Sequence, residues 1–161
     1  INTSRGITGT GYTYTGGCGG EAICALIQHN LKSFLIDKDC NNIRDINESM
    51  QWFLHYVGRG GISSFAISAI DIALWDIRCK QEDKPLWQVV GGEDNRCNTY
   101  RGGIDLGYDL DTLIEKNSLY IHEGFTALKI KVGRPKLQAT NSLKHSALFL
   151  AGVLAQCLND D

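Results

Sequence analysis

The chain lacks most of the signatures that assign a sequence to a special class. No apolar run approaches the roughly 20 residues of a membrane span. The opening Ile1-Asn2-Thr3-Ser4-Arg5-Gly6 carries no signal-peptide pattern. Neither sign of charge is in excess. The net charge is -2 over 161 residues, which excludes a basic nucleic-acid footprint and a polybasic membrane patch. None of the six cysteines (Cys18, Cys24, Cys40, Cys79, Cys97 and Cys157) stands in C-x-x-C spacing, which argues against a zinc knuckle or a thioredoxin-type site. Nor does the chain read as a small secreted disulfide scaffold, so six free thiols, mostly buried, are expected. There is no internal repeat and no low-complexity tract. What is present is ordinary for a folded protein: 43% hydrophobic and 21% charged residues. The expectation is a soluble cytoplasmic protein of one domain, or one domain plus part of another, with no nucleic-acid and no membrane partner.

The first residue is isoleucine, not methionine. Residues 1–3 read as the end of a strand, residues 4–6 as a turn, and residues 7–15 as a second strand, so the hairpin reads as cut on its first strand. Gly16-Gly17-Cys18-Gly19-Gly20 is a loop. Residues 21–35 and 46–57 show helical spacing of apolar side chains, and Gly58-Arg59-Gly60-Gly61 breaks the second of these. A third helix is expected from a cap at Ser63 or Ser64 to about Lys80. It is apolar around most of its circumference, the mark of a helix buried on several sides, yet it contains Asp71 and Asp76. A helical turn at residues 85–90 ends at Gly91-Gly92. Thereafter the order is a strand at 96–101, a helix at 110–123 stopped by Gly124, and a strand at 127–132. This is one β-α-β unit, the building block of a parallel sheet or a β/α barrel. The change of architecture places a domain boundary near Gly91-Gly92.

The last strand, Ala127-Leu128-Lys129-Ile130-Lys131-Val132, carries chemistry. Side chains alternate across a strand, so Lys129 and Lys131 share one face and Leu128, Ile130 and Val132 the other. Neighbouring ammonium groups repel, which is one route to a lysine that acts as a base. A lysine pair on a strand is also a common solvated edge feature.

Four segments in order resemble the mandelate racemase and muconate lactonizing group of the enolase superfamily. They are Gly9-Thr10-Gly11-Tyr12; Ser68-Ala69-Ile70-Asp71-Ile72-Ala73-Leu74-Trp75-Asp76; Lys84-Pro85-Leu86 followed by Gly91-Gly92; and Gly124-Phe125-Thr126-Ala127-Leu128-Lys129-Ile130-Lys131-Val132-Gly133. Pro135 after Val132-Gly133-Arg134 looks most like the mandelate racemase and acid-sugar dehydratase branch. The resemblance implies an α+β capping domain, a β-meander remnant plus a helical bundle, over residues 1–92. It implies the first β-α-β portion of a TIM-type β/α barrel over residues 93–136, and leaves residues 137–161 as a divergent tail. Barrel sites lie at the C-terminal ends of the strands.

The implied reaction removes the proton alpha to a carboxylate, with Mg2+ stabilising the enediolate and a lysine or histidine as base. By resemblance Lys131 is the base. Lys129 is its partner, lowering its pKa and touching the substrate carboxylate. The implied substrate is a small α-hydroxy carboxylate or sugar acid, and the implied full-length parent is a homo-oligomer. Tyr14, in a second specificity loop at residues 12–20, would face substrate or serve packing. Arg101 would meet an anionic substrate or form a salt bridge.

Beyond Lys131 the sequence departs from that pattern. The family's acidic metal ligands come from the next three barrel strands, whereas the residues after Lys131 contain two acids, Asp160 and Asp161. No magnesium ligands are therefore expected in this chain, and the chain alone is expected to be inactive. The Ser-, Ala- and Leu-rich tail reads as a shifted frame or alternative end. Cys40 and Cys79 stand where the family pattern often has glycine.

Two other readings remain. Gly17-Cys18-Gly19-Gly20-Glu21-Ala22, with Asp37 downstream, fits a dinucleotide-binding fingerprint. The strand before it is too polar for a buried parallel sheet. Alternatively the chain is a non-catalytic truncated product or interaction module, since two strands cannot close a barrel.

Overall fold

A computed structural model describes residues 1–103 and 107–131 of the chain. The tail, Pro135, Val132 and Cys157 lie outside the described residues. The chain divides into two compact units, Ile1–Asn95 and Arg96–Asp161.

The first unit is built on helices. α1 (Gly20–Leu26) runs through a single π-helical turn at Ile27–Leu31 into α2 (Lys32–Leu35). α3 spans Ile43–Phe53, α4 spans Gly61–Glu82, and α5 is a short turn at Leu86–Val89. The apolar positions of α3 follow helical spacing, so Ile43, Ile46 and Met50 all turn toward α4. They meet Ala66, Ile67, Ile70, Leu74 and Ile77 of α4, with Ile23 and Leu31 closing the core from the first helix. Leu31, Met50 and Ile77 are fully buried, each contributing about 2 kcal/mol of transfer free energy.

Several expectations for this unit need correction. Residues 7–15 do not form a strand ladder; a lone antiparallel bridge joins Asn2 and Thr8. The hairpin bonds close over residues 1–3 and 7–9, the Thr3 amide donating to the Ile7 carbonyl and the Gly9 amide to the Ile1 carbonyl, and residues 10–15 have no ladder partner among the described residues. That stretch lies instead on α4. The Thr10 amide donates to the Asp76 carboxylate at 2.7 Å, and the Lys80 ammonium donates to the Thr8 carbonyl at 2.8 Å. Gly9 and Gly11 permit the approach, because a Cβ on either would collide with the Ala73 or Ala69 carbonyl.

α4 also starts earlier than a serine cap would allow. Gly60 (φ 97°) is its N-cap and Gly61 (φ 49°) its first residue, so Ser63 sits inside the helix, buried to 4%. α3 ends at Phe53, and Val57, expected in the apolar stripe, is 63% exposed. The thiols are free, but not mostly buried: Cys18, Cys24 and Cys97 are exposed, and Cys40 and Cys79 are half-buried.

The second unit holds β1 (Arg101–Gly102), α6 (Leu110–His122) and β2 (Leu128–Lys129). Asp109 caps α6, accepting from the Thr112 amide at 2.8 Å, and Gly124 (φ 92°) lets the chain leave it. β1 and β2 pair in parallel, Arg101 opposite Leu128 and Gly102 opposite Lys129. The strands are shorter than the expected 96–101 and 127–132, and residues 91–100 are exposed throughout. Two parallel strands bridged by a helix are what the described residues show; the only sheet among them has these two strands. No helix of the described residues is long and apolar enough to cross a membrane.

Candidate functional site

Parallel register decides which side chains share a face. Residues level with each other in adjacent strands point the same way, and neighbours along a strand point oppositely. Arg101 therefore shares a face with Leu128. Lys129 lies on the other face with Gly102, and Lys131 follows two residues on, past the end of β2. Burial agrees: Lys129 and Lys131 are exposed, and Leu128 and Ile130 half-buried.

The side-chain contacts divide in the same way. The Arg101 guanidinium lies over the Tyr120 ring at 4.8 Å and the Phe125 ring at 5.6 Å. It is thus held on the face turned toward α6. Tyr100, one residue earlier, falls on the lysine face. The Lys129 ammonium sits 5.3 Å from its ring centroid and donates to its hydroxyl at 3.4 Å. Sequence reasoning missed Tyr100. The signal was available only as alternation from Arg101, and it becomes legible once the register is known.

Tyr14 belongs to the first unit and is 81% exposed. The lysine pair and Arg101 belong to the second unit. The structure thus brings Tyr100 to Lys129, and sends Arg101 to the opposite face of the same strands.

Magnesium needs oxygen ligands, carboxylates foremost, converging in near-octahedral geometry. Among the described residues no group of three or more His, Cys, Asp or Glu side chains is placed to hold a metal ion. The lysine face offers ammonium groups and a phenol, which are not magnesium ligands. The described residues therefore do not fit the ion. The glycine-rich loop before α1 likewise lacks the preceding parallel strand that a dinucleotide fold needs.

Comparison with known proteins gives a consistent picture. Residues 1–91 match the N-terminal domain of the mandelate racemase / muconate lactonizing enzyme family. The chain is 44% identical over 138 residues to 3,6-anhydro-alpha-L-galactonate cycloisomerase of Streptomyces coelicolor, covering 86% of this chain and 38% of that protein. It is 32% identical over 143 residues to arabinonate dehydratase of Saccharolobus solfataricus, covering 86% of this chain and 37% of that protein. Among solved structures, a racemase from Streptomyces coelicolor with bound magnesium superposes with a TM-score of 0.80 at 41% identity, over 93% of this chain and 45% of that one. L-talarate/galactarate dehydratase from Salmonella typhimurium, liganded with Mg and L-lyxarohydroxamate, gives 0.80 at 28% identity, over 95% and 39%. The chain spans less than two fifths of the length of these curated relatives.

Proposed function

We propose, because the chain belongs to the mandelate racemase / muconate lactonizing enzyme family, that it carries the capping domain and the first lysine-bearing strands of a cytoplasmic acid-sugar dehydratase or cycloisomerase. Residues 93–136 are the start of its β/α barrel. The substrate is a small α-hydroxy carboxylate or sugar acid, and the whole enzyme is a homo-oligomer. The observation that supports the reading is the exposure of Lys129, in β2, and of Lys131, two residues further on, downstream of a capping domain.

Lys131, as the free amine, takes the proton alpha to the carboxylate. Lys129, oriented by the Tyr100 ring and hydroxyl, pairs with the carboxylate and stabilises the negative charge that develops on it. Tyr14 contacts substrate from the capping domain. Arg101 orders the strand against Tyr120 and Phe125 rather than touching substrate. The 161 residues alone do not turn over, since the described residues gather no cluster of three metal-ligating side chains and the stretch after Lys131 supplies only Asp160 and Asp161 as acids.

The test is a chimera in which residues 1–131 replace the matching segment of the Streptomyces coelicolor cycloisomerase. It should exchange the substrate α-proton with deuterium. Lys131→Ala should lower that exchange by about a hundredfold to ten-thousandfold, the usual share of a general base. A folded chimera whose exchange survives Lys131→Ala would overturn the assignment. In the 161-residue chain itself no exchange is expected.

A further inference from the structure

The groove between α3 and α4 is a second candidate site, in the capping unit and independent of the lysine pair. It is a cleft of about 310 Å³, within the usual span of small-ligand pockets. Its lining is polar for a helix–helix seam. Asn47 and Gln51 face it from α3, Ser63 and Asp71 from α4, and Arg59 from the turn between them.

These groups are already arranged. The Gln51 amide donates to the Asn47 carbonyl at 2.8 Å, and the Asn47 amide donates to the Asp71 carboxylate at 2.8 Å. The second Asp71 oxygen and the Gln51 carbonyl remain as acceptors. Arg59 is held over the Trp52 ring at 5.4 Å, and no carboxylate of the described residues forms an ion pair with it.

Ser63 is the telling residue. It is 4% exposed, and its hydroxyl makes no hydrogen bond to any described residue. A buried hydroxyl without a partner costs free energy. No side chain caps α4, so the amides of its first turn keep their partial positive charge beside that hydroxyl. One end of the cleft thus offers a guanidinium, a helix N-terminus and a spare hydroxyl. The other offers a carboxylate and amides that accept from hydroxyl groups. The continuation of the groove adds Arg44 and Glu48, so its charges balance and a ligand of high charge gains nothing there. Ser63 and Asp71 lie about 12 Å apart along the helix axis.

We propose that this cleft binds a small monocarboxylate bearing several hydroxyl groups. The carboxylate meets Arg59, Ser63 and the first turn of α4. The hydroxyls meet Asp71 and Gln51.

The test titrates the 15N-labelled chain with D-gluconate, with acetate, glucitol and inorganic phosphate as comparisons. Gluconate should shift the backbone amides of Gly61, Ile62 and Ser63 and the side-chain amides of Asn47 and Gln51, and saturate. Acetate and glucitol, each carrying half of the recognised groups, should bind at least tenfold more weakly, and phosphate likewise. Arg59→Gln and Ser63→Ala should each weaken gluconate about tenfold while the spectrum stays dispersed. Ser63→Ala should also raise Tm in the absence of ligand, because it removes an unsatisfied hydroxyl. Two results overturn the proposal: shifts unchanged by both substitutions, or phosphate binding as tightly as gluconate.

Discussion

Asp76 shows why an acid belongs inside an otherwise apolar helix. Its carboxylate accepts from the Lys80 ammonium at 2.8 Å and from the Thr10 amide at 2.7 Å, while Lys80 reaches on to the Thr8 carbonyl. One ion pair on successive turns of α4 therefore grips one edge of an extended segment whose other edge, at Gly9, bonds to Ile1. The Lys80 hydrogen bond, and then the Thr10 amide, hold the Asp76 carboxyl below its ordinary 3.8. A carboxyl lowered in the folded state stabilises fully above its unfolded value and loses that contribution as pH falls through the folded one. Stability from Asp76 should thus be intact at neutral pH and lost below about pH 3.8. Asp76→Asn should lower stability at pH 7 by on the order of 1 kcal/mol, given partial exposure, and flatten the acid limb of a pH series of urea melts. An equally steep acid limb in Asp76→Asn would remove Asp76 from the account. Asp71 plays the matching part on another face, holding Asn47 of α3.

Among the elements, α4 was the most legible from sequence and its neighbours the least, for physical reasons. Apolar residues around most of a helix mean burial on several sides, and α4 indeed supplies Ala66, Ile67, Ile70, Leu74 and Ile77 to the core. Its start was misplaced because serine is a strong N-cap, whereas here Gly60 and Gly61 adopt positive φ and begin the helix two residues before Ser63. The π-helical turn at Ile27–Leu31 leaves no compositional mark. Residues 7–15 have the composition of a strand, but among the described residues the one bridge to them is Asn2 to Thr8, and composition does not report pairing. What replaces the ladder is close contact of two glycines with the α4 backbone. Gly11→Ala should therefore cost about 1–3 kcal/mol, because its Cβ would strike the Ala69 carbonyl and the segment must lift. Gly16→Ala, with nothing near its Cβ but a φ of 69°, separates backbone strain from collision. If both lose stability equally, contact with α4 is not what Gly11 provides. Met50→Ala, at the fully buried centre of the seam, should cost about 2–5 kcal/mol.

For the whole molecule, the two units differ in what holds them. Every buried hydrophobic side chain among the described residues lies between Ile23 and Ile77. The buried residue among those described in the second unit is polar: Asn117, whose amide donates to the Leu113 carbonyl at 2.7 Å. The β-α-β order of that unit was legible from apolar spacing, and the lysine pair from alternation. The side of the sheet occupied by Arg101 was not, because it depends on the register with a strand 27 residues on. A parallel pair of two residues each, with no buried apolar side chain among the described residues of its unit, opens at little cost. Hydrogen exchange should report this directly. Amides of α3 and α4 should exchange at the global unfolding rate, and those of Arg101, Gly102, Leu128 and Lys129 with protection lower by on the order of a hundredfold. Magnesium should leave both classes unchanged, since a ligand stabilises only what it binds and the described residues gather no three-donor cluster. Equal protection in the two units would mean that the lysine strand is held as firmly as the capping core. A magnesium-dependent rise confined to residues 101–131 would mean that a metal site forms there, and the inactivity of the 161-residue chain would then have to be reconsidered.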